Sequence, residues 1–390
     1  MPAATLGLAV WVCALGCSEA AHAPPPEGSS GDEQVASGGK GIALDPDVDV
    51  SPSGPCGEQR IPAIANPPNL SFIVDRSASM SDVLPGTGLT KYESARIALS
   101  KVLRAVGHRV NYGISVFPGL DGATGCEPGL ELMPVAPGDD PKYARENING
   151  PRLRDLLGRL TTAGVSGGTP VAASLSAALP TLTALTGDTY AVLITDGAPN
   201  CNIDLQCGEQ GCIPNIEHLS YGGKNCTQGV NCCEPSEQYP DANLSCIDDQ
   251  ASLKAVEELA NAGIRTFVIG MPGSEPYEAL LDAMAEAGGT AREGQPRYYS
   301  VADTEALEKS LTSIAASVSI SCDLPLDYEP KDPGFVNVYF DDELVPYDSE
   351  EGWEWTEDGH VALHGEACAS LTRGDVLEVQ IFAGCKTQLK

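Results

Sequence analysis

The sequence predicts an α/β protein: a doubly wound, mostly parallel β-sheet with helices on both faces, followed by a small antiparallel β module. Short apolar runs alternate with helical patterns between residues 69 and 320, an order typical of parallel strands joined by crossover helices. Runs such as Leu70–Val74 are apolar at nearly every position, as in strands that are buried on both faces. After Cys322 the apolar period changes to two, which is typical of antiparallel strands.

The first half of the α/β pattern predicts two strands and three helices. In chain order these are the strand Leu70–Asp75, the helix Tyr92–Val106, the strand Val110–Phe117, and the helices Arg152–Leu160 and Val171–Leu185. The strands are apolar runs of strand length, and the first helix carries its apolar residues on one face. Thr169 followed by Pro170 supplies an N-cap and a first helical residue for the third helix.

The second half of the pattern predicts three more strands and three more helices. The strands are Tyr190–Asp196, Ile264–Ile269 and Arg297–Val301. The helices that follow them are Ser252–Ala262, Tyr277–Ala287 and Thr304–Val318. Gly263 and Gly288 follow two of the helices, where glycine commonly ends a helix. A polar segment with seven cysteines, residues 199–248, interrupts the alternation. It is predicted to be an insertion in a domain that spans residues 69–320.

Residues 321–390 are predicted to form a small, acidic, disulfide-stapled β module. Its alternating apolar positions are Val336, Val338, Phe340, Leu377, Val379 and Ile381. Lys331 is the only lysine or arginine between Asp323 and Glu366. A core this small is expected to need a covalent bridge.

The composition of the chain excludes several functional classes. Among 390 residues, 54 acidic and 23 basic side chains give a formal charge of −31, whereas a nucleic-acid binder needs a basic patch. Fourteen cysteines with five histidines favour disulfides in an oxidising compartment over zinc modules. No apolar run reaches the roughly 18 residues of a membrane-spanning helix.

The N-terminal sequence predicts export. Leu6–Gly16 is apolar and has the length of the hydrophobic region of a signal peptide. Residues 1–17 are predicted to be a signal peptide whose end, Ala-Leu-Gly-Cys at 14–17, is similar to the lipobox of bacterial lipoproteins, in which Cys17 would be lipidated and become the mature N-terminus. Ala14 replaces the usual leucine and no basic residue precedes the run, so ordinary cleavage and secretion is the alternative. Residues 18–68 are acidic and rich in Pro, Gly and Ser, which predicts a disordered tether to the cell envelope or outer surface.

Oxygen-bearing side chains follow two of the predicted buried strands. The first strand ends in a D-x-S-x-S sequence that contains Asp75, Ser77 and Ser79, and a later strand ends at Asp196. Thr169 lies in a glycine-rich loop. Because ligands bind beyond the carboxyl ends of the strands in open parallel sheets, we expect these five residues at one edge. Two carboxylates and three hydroxyls suit a hard cation, Mg²⁺ first, with Mn²⁺ or Ca²⁺ as alternatives.

These five residues resemble the metal-ion-dependent adhesion site (MIDAS) of von Willebrand factor type A (VWA) domains. The resemblance covers Asn69–Ser319, with the cysteine-rich segment as an insertion. It implies the Rossmann-like VWA fold. It also implies a metal bound by the two serines and the threonine, with the two aspartates often acting through water. A carboxylate of a binding partner would complete the metal's ligands.

The sequence therefore predicts an exported, surface-tethered binding module that captures an acidic group of a protein or glycan. A structural protein of an envelope or matrix, with the same fold, is the alternative. A hydrolase is the weakest hypothesis, and no catalytic residue is predicted. The G-x-S-x-G sequence at 164–168 fits a nucleophile elbow, but a predicted helix precedes it and no histidine stands out as a base.

The remaining cysteines are all disulfide candidates. They are Cys56, Cys126, Cys201, Cys207, Cys212, Cys226, Cys232, Cys233, Cys246, Cys322, Cys368 and Cys385. The insertion holds an odd number, so at least one of its cysteines pairs outside it or stays free, and Cys322 is the expected outside partner. Cys368 with Cys385 and Cys56 with Cys126 are the other expected pairs. The adjacent Cys232 and Cys233 are expected to bond to different partners.

Overall fold

The computed structural model describes residues 59–62, 67–120, 122, 124–319, 322–324, 326, 332–373, 376, 379–383 and 386–387. The signal segment, Cys17, most of the predicted tether, Cys56 and Cys385 lie outside the described residues. Among those that are described, no helix has the length and apolar character needed to cross a membrane.

The described chain forms strands and helices in the following order. The strands are β1 Gln59–Pro62, β2 Asn69–Asp75, β3 Asn111–Phe117, β4 Leu130–Pro137, β5 Thr189–Thr195, β6 Ser220–Tyr221, β7 Lys224–Asn225, β8 Arg265–Gly270, β9 Tyr299–Ser300, β10 Asp323–Leu324, β11 Val336–Phe340, β12 Glu343–Val345, β13 Trp353–Trp355, β14 Val361–Leu363 and β15 Val379–Ala383. The α-helices are α1 Lys91–Val106, α2 Pro141–Arg145, α3 Pro151–Ala163, α4 Val171–Thr183, α5 Ile213–Ile216, α6 Asp249–Asn261, α7 Glu278–Ala287, α8 Thr304–Ser319 and α9 Gly365–Arg373.

The central sheet has six strands in the order β4-β3-β2-β5-β8-β9. All neighbouring pairs are parallel except β3 and β4. The two faces of the sheet bury separate apolar clusters, one with α1, α3 and α8 and the other with α4, α6 and α7. Along β2, Phe72 and Val74 belong to the first cluster and Ile73 to the second. The predicted doubly wound sheet with helices on both faces is therefore confirmed.

The order of the strands reverses between β2 and β5. The chain continues from β2 to β3 on one side and then returns to β5 on the other side of β2. In doubly wound sheets, ligand sites lie at the carboxyl ends of the strands where the order reverses. Asp75 is the last residue of β2, and Asp196 directly follows β5.

The edge strand β4 was not predicted from the sequence. It pairs antiparallel with β3, and the pairing contains register shifts between Tyr112 and Ser115. Only Met133 is fully buried in β4, and prolines occupy positions 134 and 137. Proline is tolerated in edge strands because one side of an edge strand needs no hydrogen-bond donors. The strand therefore lacks the apolar run by which the central strands are recognised.

The C-terminal module contains two small antiparallel sheets, in agreement with the prediction. Their orders are β1-β15-β11-β12 and β10-β14-β13. Trp353, Val338 and Ile381 have no exposed surface and lie in the common core. Two features were not predicted. Helix α9 lies within the module, and residues 59–62, which were predicted to belong to the tether, form β1 and pair with β15.

Candidate functional site

Two aspartates lie side by side at the carboxyl end of the central sheet. β2 and β5 are in parallel register, with Val74 opposite Ile194, so that Asp75 and Asp196 follow at the same edge. Their exposed fractions are 0% and 2%. Two buried carboxylates at one edge of the sheet are costly unless a positive charge or hydrogen-bond donors compensate them.

Hydrogen bonds join four of the five predicted site residues. Asp75 Oδ1 accepts the backbone N–H of Ser77 at 2.7 Å, and Asp75 Oδ2 accepts the hydroxyl of Thr195 at 2.6 Å. The hydroxyl oxygens of Ser77 and Ser79 lie 3.1 Å apart, and Ser79 donates to Asp196 Oδ1 at 2.9 Å. The D-x-S-x-S loop and the end of β5 therefore form one continuous polar group.

The fifth predicted residue, Thr169, lies on the neighbouring loop before α4. Its exposed fraction is 4%, and its backbone exchanges hydrogen bonds with Asn200 at 2.7 and 2.9 Å. Among the described residues, its side chain makes no hydrogen bond to the other four. The two loops are joined by the N–H of Ala78, which donates to the carbonyl of Gly167 at 3.0 Å. Gly167 has φ +87°, and a Cβ there would lie 2.5 Å from the carbonyl oxygen of Gly125, so this close approach requires glycine.

Arg76 fixes the relative positions of three loops around the site. Its guanidinium donates to the carbonyl oxygens of Gly164 and Pro118 at 3.0 and 3.1 Å and to the hydroxyl of Ser166 at 2.7 Å. The hydroxyl of Ser166 is thus an acceptor for Arg76. Helix α3, ending at Ala163, precedes the G-x-S-x-G sequence, whereas a nucleophile elbow follows a strand.

Lys91 also belongs to the site, which was not predicted from the sequence. Its ammonium lies 2.7 Å from Asp196 Oδ2 and 3.4 Å from Asp82 Oδ2, and 9% of its side chain is exposed. Lys91 is the first residue of α1, after the N-cap Thr90. Positive charge at a helix N-terminus is unfavourable because it opposes the helix dipole. The sequence around Lys91 therefore shows an unfavourable position for a lysine, but it does not show which carboxylate the lysine contacts.

Burial and mutual repulsion perturb the two carboxylates. Burial, and then the charge of Asp196, raises the pKa of Asp75 from 3.8 to about 7, although hydrogen bonds from Ser77 and Thr195 act in the opposite direction. Burial also raises the pKa of Asp196, and Lys91 counteracts part of that effect. Burial disfavours the ammonium of Lys91, but Asp196 and Asp82 raise its pKa above 10.5. The site is therefore an environment that favours additional positive charge.

The chemistry of the donor set fits a hard divalent cation. The predicted ligand residues offer only carboxylate and hydroxyl oxygens, which Mg²⁺, Mn²⁺ and Ca²⁺ prefer over the nitrogen and sulfur ligands of softer metals. The sulfur atoms of Cys207, Cys233 and Cys246 lie within 4.8 Å of one another. All three belong to disulfides, so they offer no thiolates to a metal.

Disulfides connect the cysteine-rich insertion internally and to the rim of the site. The internal bonds are Cys207–Cys246, Cys212–Cys233 and Cys226–Cys232. The fourth bond joins Cys201 to Cys126, in the loop after β3. This confirms that an insertion cysteine pairs outside the insertion and that Cys232 and Cys233 have different partners.

Three expected pairings were wrong. The outside partner is Cys126 rather than Cys322, because Cys126 and Cys201 both lie in loops at the carboxyl edge of the sheet, whereas α8 runs away from that edge before Cys322. Cys322 instead bonds to Cys368 on α9, which packs against α8. The proposed Cys368–Cys385 and Cys56–Cys126 bonds are therefore replaced.

The insertion is also attached on the opposite side of the site. Glu217, just after α5, accepts a hydrogen bond from the hydroxyl of Tyr277 at 2.8 Å. Tyr277 precedes α7 and is 4% exposed. Burial, and then Glu217, raises the pKa of the Tyr277 phenol. One attachment of the insertion thus lies beside the Thr169 loop, and the other lies beside Asp196.

Loss of the Cys126–Cys201 bond is expected to destabilise the protein more than loss of Cys226–Cys232. The two bonds span 75 and 6 residues, and loop-closure entropy predicts costs of about 4 and about 2 kcal/mol. Denaturant unfolding of the Cys126→Ser/Cys201→Ser and Cys226→Ser/Cys232→Ser variants measures both. Equal losses of stability would show that the Cys126–Cys201 bond does not restrict the unfolded chain as much as loop-closure entropy predicts.

No protein-family model and no curated protein matches the chain. Solved structures with a similar fold include the pilus adhesin SpaC from Lactobacillus rhamnosus GG, with 15% identity and a TM-score of 0.46 over 83% of this chain and 40% of that chain. A von Willebrand factor type A protein from Catenulispora acidiphila has 12% identity and a TM-score of 0.40, covering 80% and 56%. The vWF domain of the type V pili tip protein Mfa5 from Porphyromonas gingivalis has 13% identity and a TM-score of 0.39, covering 67% and 98%.

These matches are remote. This chain spans less than half of the SpaC chain, and likenesses at such identities and TM-scores say nothing about what a chain binds. The α/β fold class follows from the strand order and the two cores, and the chemistry of the site follows from its own residues.

Proposed function

We propose that the protein is an exported, surface-tethered VWA-type adhesion module that captures an acidic group of a protein or glycan partner through a divalent cation. The cation site would be a MIDAS, with Mg²⁺ as the first candidate. The observation that carries the proposal is the continuous hydrogen-bonded group at the carboxyl ends of β2 and β5, in which two buried carboxylates meet serine hydroxyls. Attachment through a lipidated Cys17 is part of the proposal, with secretion as the alternative.

The five predicted residues would contribute two kinds of ligand to the cation. Ser77, Ser79 and Thr169 offer neutral hydroxyl oxygens, and Asp75 and Asp196 offer the negative charge. When bound, the cation would supply the positive position that a carboxylate of the partner requires. Mg²⁺ usually keeps several waters in protein sites and binds through one or two carboxylates. This site offers two carboxylates, those of Asp75 and Asp196.

A metal-dependent contact also fits the charge of the protein. With a formal charge of −31, the chain repels acidic partners at long range. A divalent cation would cancel the negative charge of the two carboxylates, so the repulsion of an acidic group would be removed locally. Recognition of an acidic group would therefore be short-ranged and dependent on the metal. The insertion, attached on both sides of the site, would contact the partner around the captured group.

Capture from cell-envelope extracts tests this function. The purified full chain is expected to retain a partner in the presence of Mg²⁺ and to release it in excess chelator. Re-addition of Mg²⁺ is expected to restore binding. A partner retained equally with and without chelator would contradict metal-dependent capture and would favour a structural protein of the envelope or matrix.

A further inference from the structure

Lys91 places a positive charge directly beside the candidate metal site. Its ammonium contacts Asp196 Oδ2, while the other oxygen of the same carboxylate, Oδ1, accepts the hydroxyl of Ser79. Lys91 and Asp196 are buried, at 7% and 2% exposure. The side chain of Asp82, the second partner of Lys91, is 68% exposed, so water screens its charge. Of its two carboxylate partners, Asp196 therefore interacts with Lys91 more strongly.

The formal charges of the buried groups show what Lys91 changes. Asp75 and Asp196 contribute two negative charges, and the buried Lys91 and Arg76 contribute two positive charges. A bound divalent cation would then give this group a net charge of +2. Without Lys91 the same loaded group would carry +1, so Lys91 raises the charge around the cation by one. Charges within a few ångströms of one another interact strongly in a buried environment.

We propose that Lys91 sets the charge of this site, so that it weakens the binding of the divalent cation and strengthens the binding of a carboxylate to the cation-loaded site. This inference rests on the proposed function, because it concerns the same cation and the same acidic group. Lys91 is a positioning and charge-setting residue. It acts through Asp196 and would not contact the cation itself.

A purely structural role for Lys91 would give a different result. If the lysine only held Asp196 in place, its removal would loosen the carboxylate and weaken cation binding, since outer partners of metal ligands usually support affinity. The charge role predicts tighter cation binding together with weaker carboxylate binding. Opposite changes in two affinities cannot result from partial loss of the fold.

The experiment uses the full chain, Mn²⁺ as the cation and acetate as the carboxylate. Calorimetry measures the Kd for Mn²⁺, and water-proton relaxation at saturating Mn²⁺ measures the Kd for acetate. For Lys91→Met we expect roughly tenfold tighter Mn²⁺ binding and roughly threefold weaker acetate binding, from the loss of one nearby charge. Lys91→Arg, which keeps the charge, is expected to retain wild-type values.

Two further variants keep the result interpretable. Lys101→Met removes another lysine of α1, one that pairs with Glu308 at 2.6 Å and is half exposed, and it is expected to leave both affinities unchanged. Lys91→Gln retains a hydrogen-bond donor and is measured if Lys91→Met does not fold, with the same expected directions. If the wild type binds Mn²⁺ and the folded Lys91→Met or Lys91→Gln variant binds it equally or more weakly, the inference about Lys91 is overturned and the proposed function is left intact. If the wild type and the variant both fail to bind Mn²⁺, the inference and the proposed function both fail.

Discussion

Replacing Asp75 with alanine is expected to abolish Mg²⁺ binding and partner capture while the domain remains folded. The substitution removes one of the two buried negative charges at the site and the acceptor for both Ser77 and Thr195. Asp75 lies at the end of β2, outside the apolar clusters of the two faces. Calorimetric titration with Mg²⁺ and the envelope capture assay measure the loss, and circular dichroism monitors the fold.

Asp282→Ala provides the matched control. Asp282 is also a buried aspartate, 9% exposed, and it accepts the backbone N–H groups of Arg297 and Tyr298. These residues precede the edge strand β9, which β5 and β8 separate from β2, so Asp282 supports a different strand from the two that carry the candidate site. The control is expected to lose stability, by about 1–3 kcal/mol for buried donors left unpaired, and to keep its Mg²⁺ affinity. Wild-type Mg²⁺ affinity in Asp75→Ala would exclude this carboxylate from any metal site.

The fold was predictable where local sequence and tertiary environment agree. β2 and β5 are buried at every position, so their apolar runs identify them directly. Helix α1 begins with a capping box formed by Thr90 and Glu93, a pattern that is local by nature. In contrast, β1 exists through pairing with β15, more than 300 residues away. Nothing in its own four residues indicates that partner.

The same distinction applies to the candidate site. The D-x-S-x-S spacing and the position of Asp196 after a buried strand were sufficient to place four residues in one hydrogen-bonded group. The Lys91–Asp196 contact spans 105 residues, and the Cys126–Cys201 bond depends on how two loops fold over the edge of the sheet. Such contacts depend on where the first turn of a helix or a loop lies in the folded protein, and the apolar periodicity of the sequence does not determine that position.

The stability of the chelator-treated protein is expected to fall as the pH rises from about 4 to about 8. The pKa of Asp75 is raised from 3.8 to about 7 in the folded protein, so the folded state binds this proton more tightly than the unfolded state does. Its contribution is fully present below pH 3.8 and is lost as the pH passes through 7. Linkage at 1.36 kcal/mol per pKa unit places the loss on the order of 4 kcal/mol.

A divalent cation should reverse this pH dependence. Mg²⁺ favours the ionised carboxylate, so it competes with the proton, and its affinity should increase as the pH rises towards 7. Thermal unfolding at pH 5 and pH 8, each with Mg²⁺ or with chelator, measures both effects. Mg²⁺ should raise the Tm strongly at pH 8 and little at pH 5.

Asp75→Asn isolates the contribution of this carboxyl group from those of the other acidic residues. Asparagine has nearly the same shape as protonated aspartate but carries no titratable proton. The difference in unfolding free energy between wild type and variant should therefore depend on pH in the chelator-treated samples, and the variant should gain little Tm from Mg²⁺. Parallel pH profiles for the two proteins would show that Asp75 ionises normally in the folded state. The burial of Asp75 beside Asp196 would then be compensated by Lys91, Ser77 and Thr195 without any need for a cation.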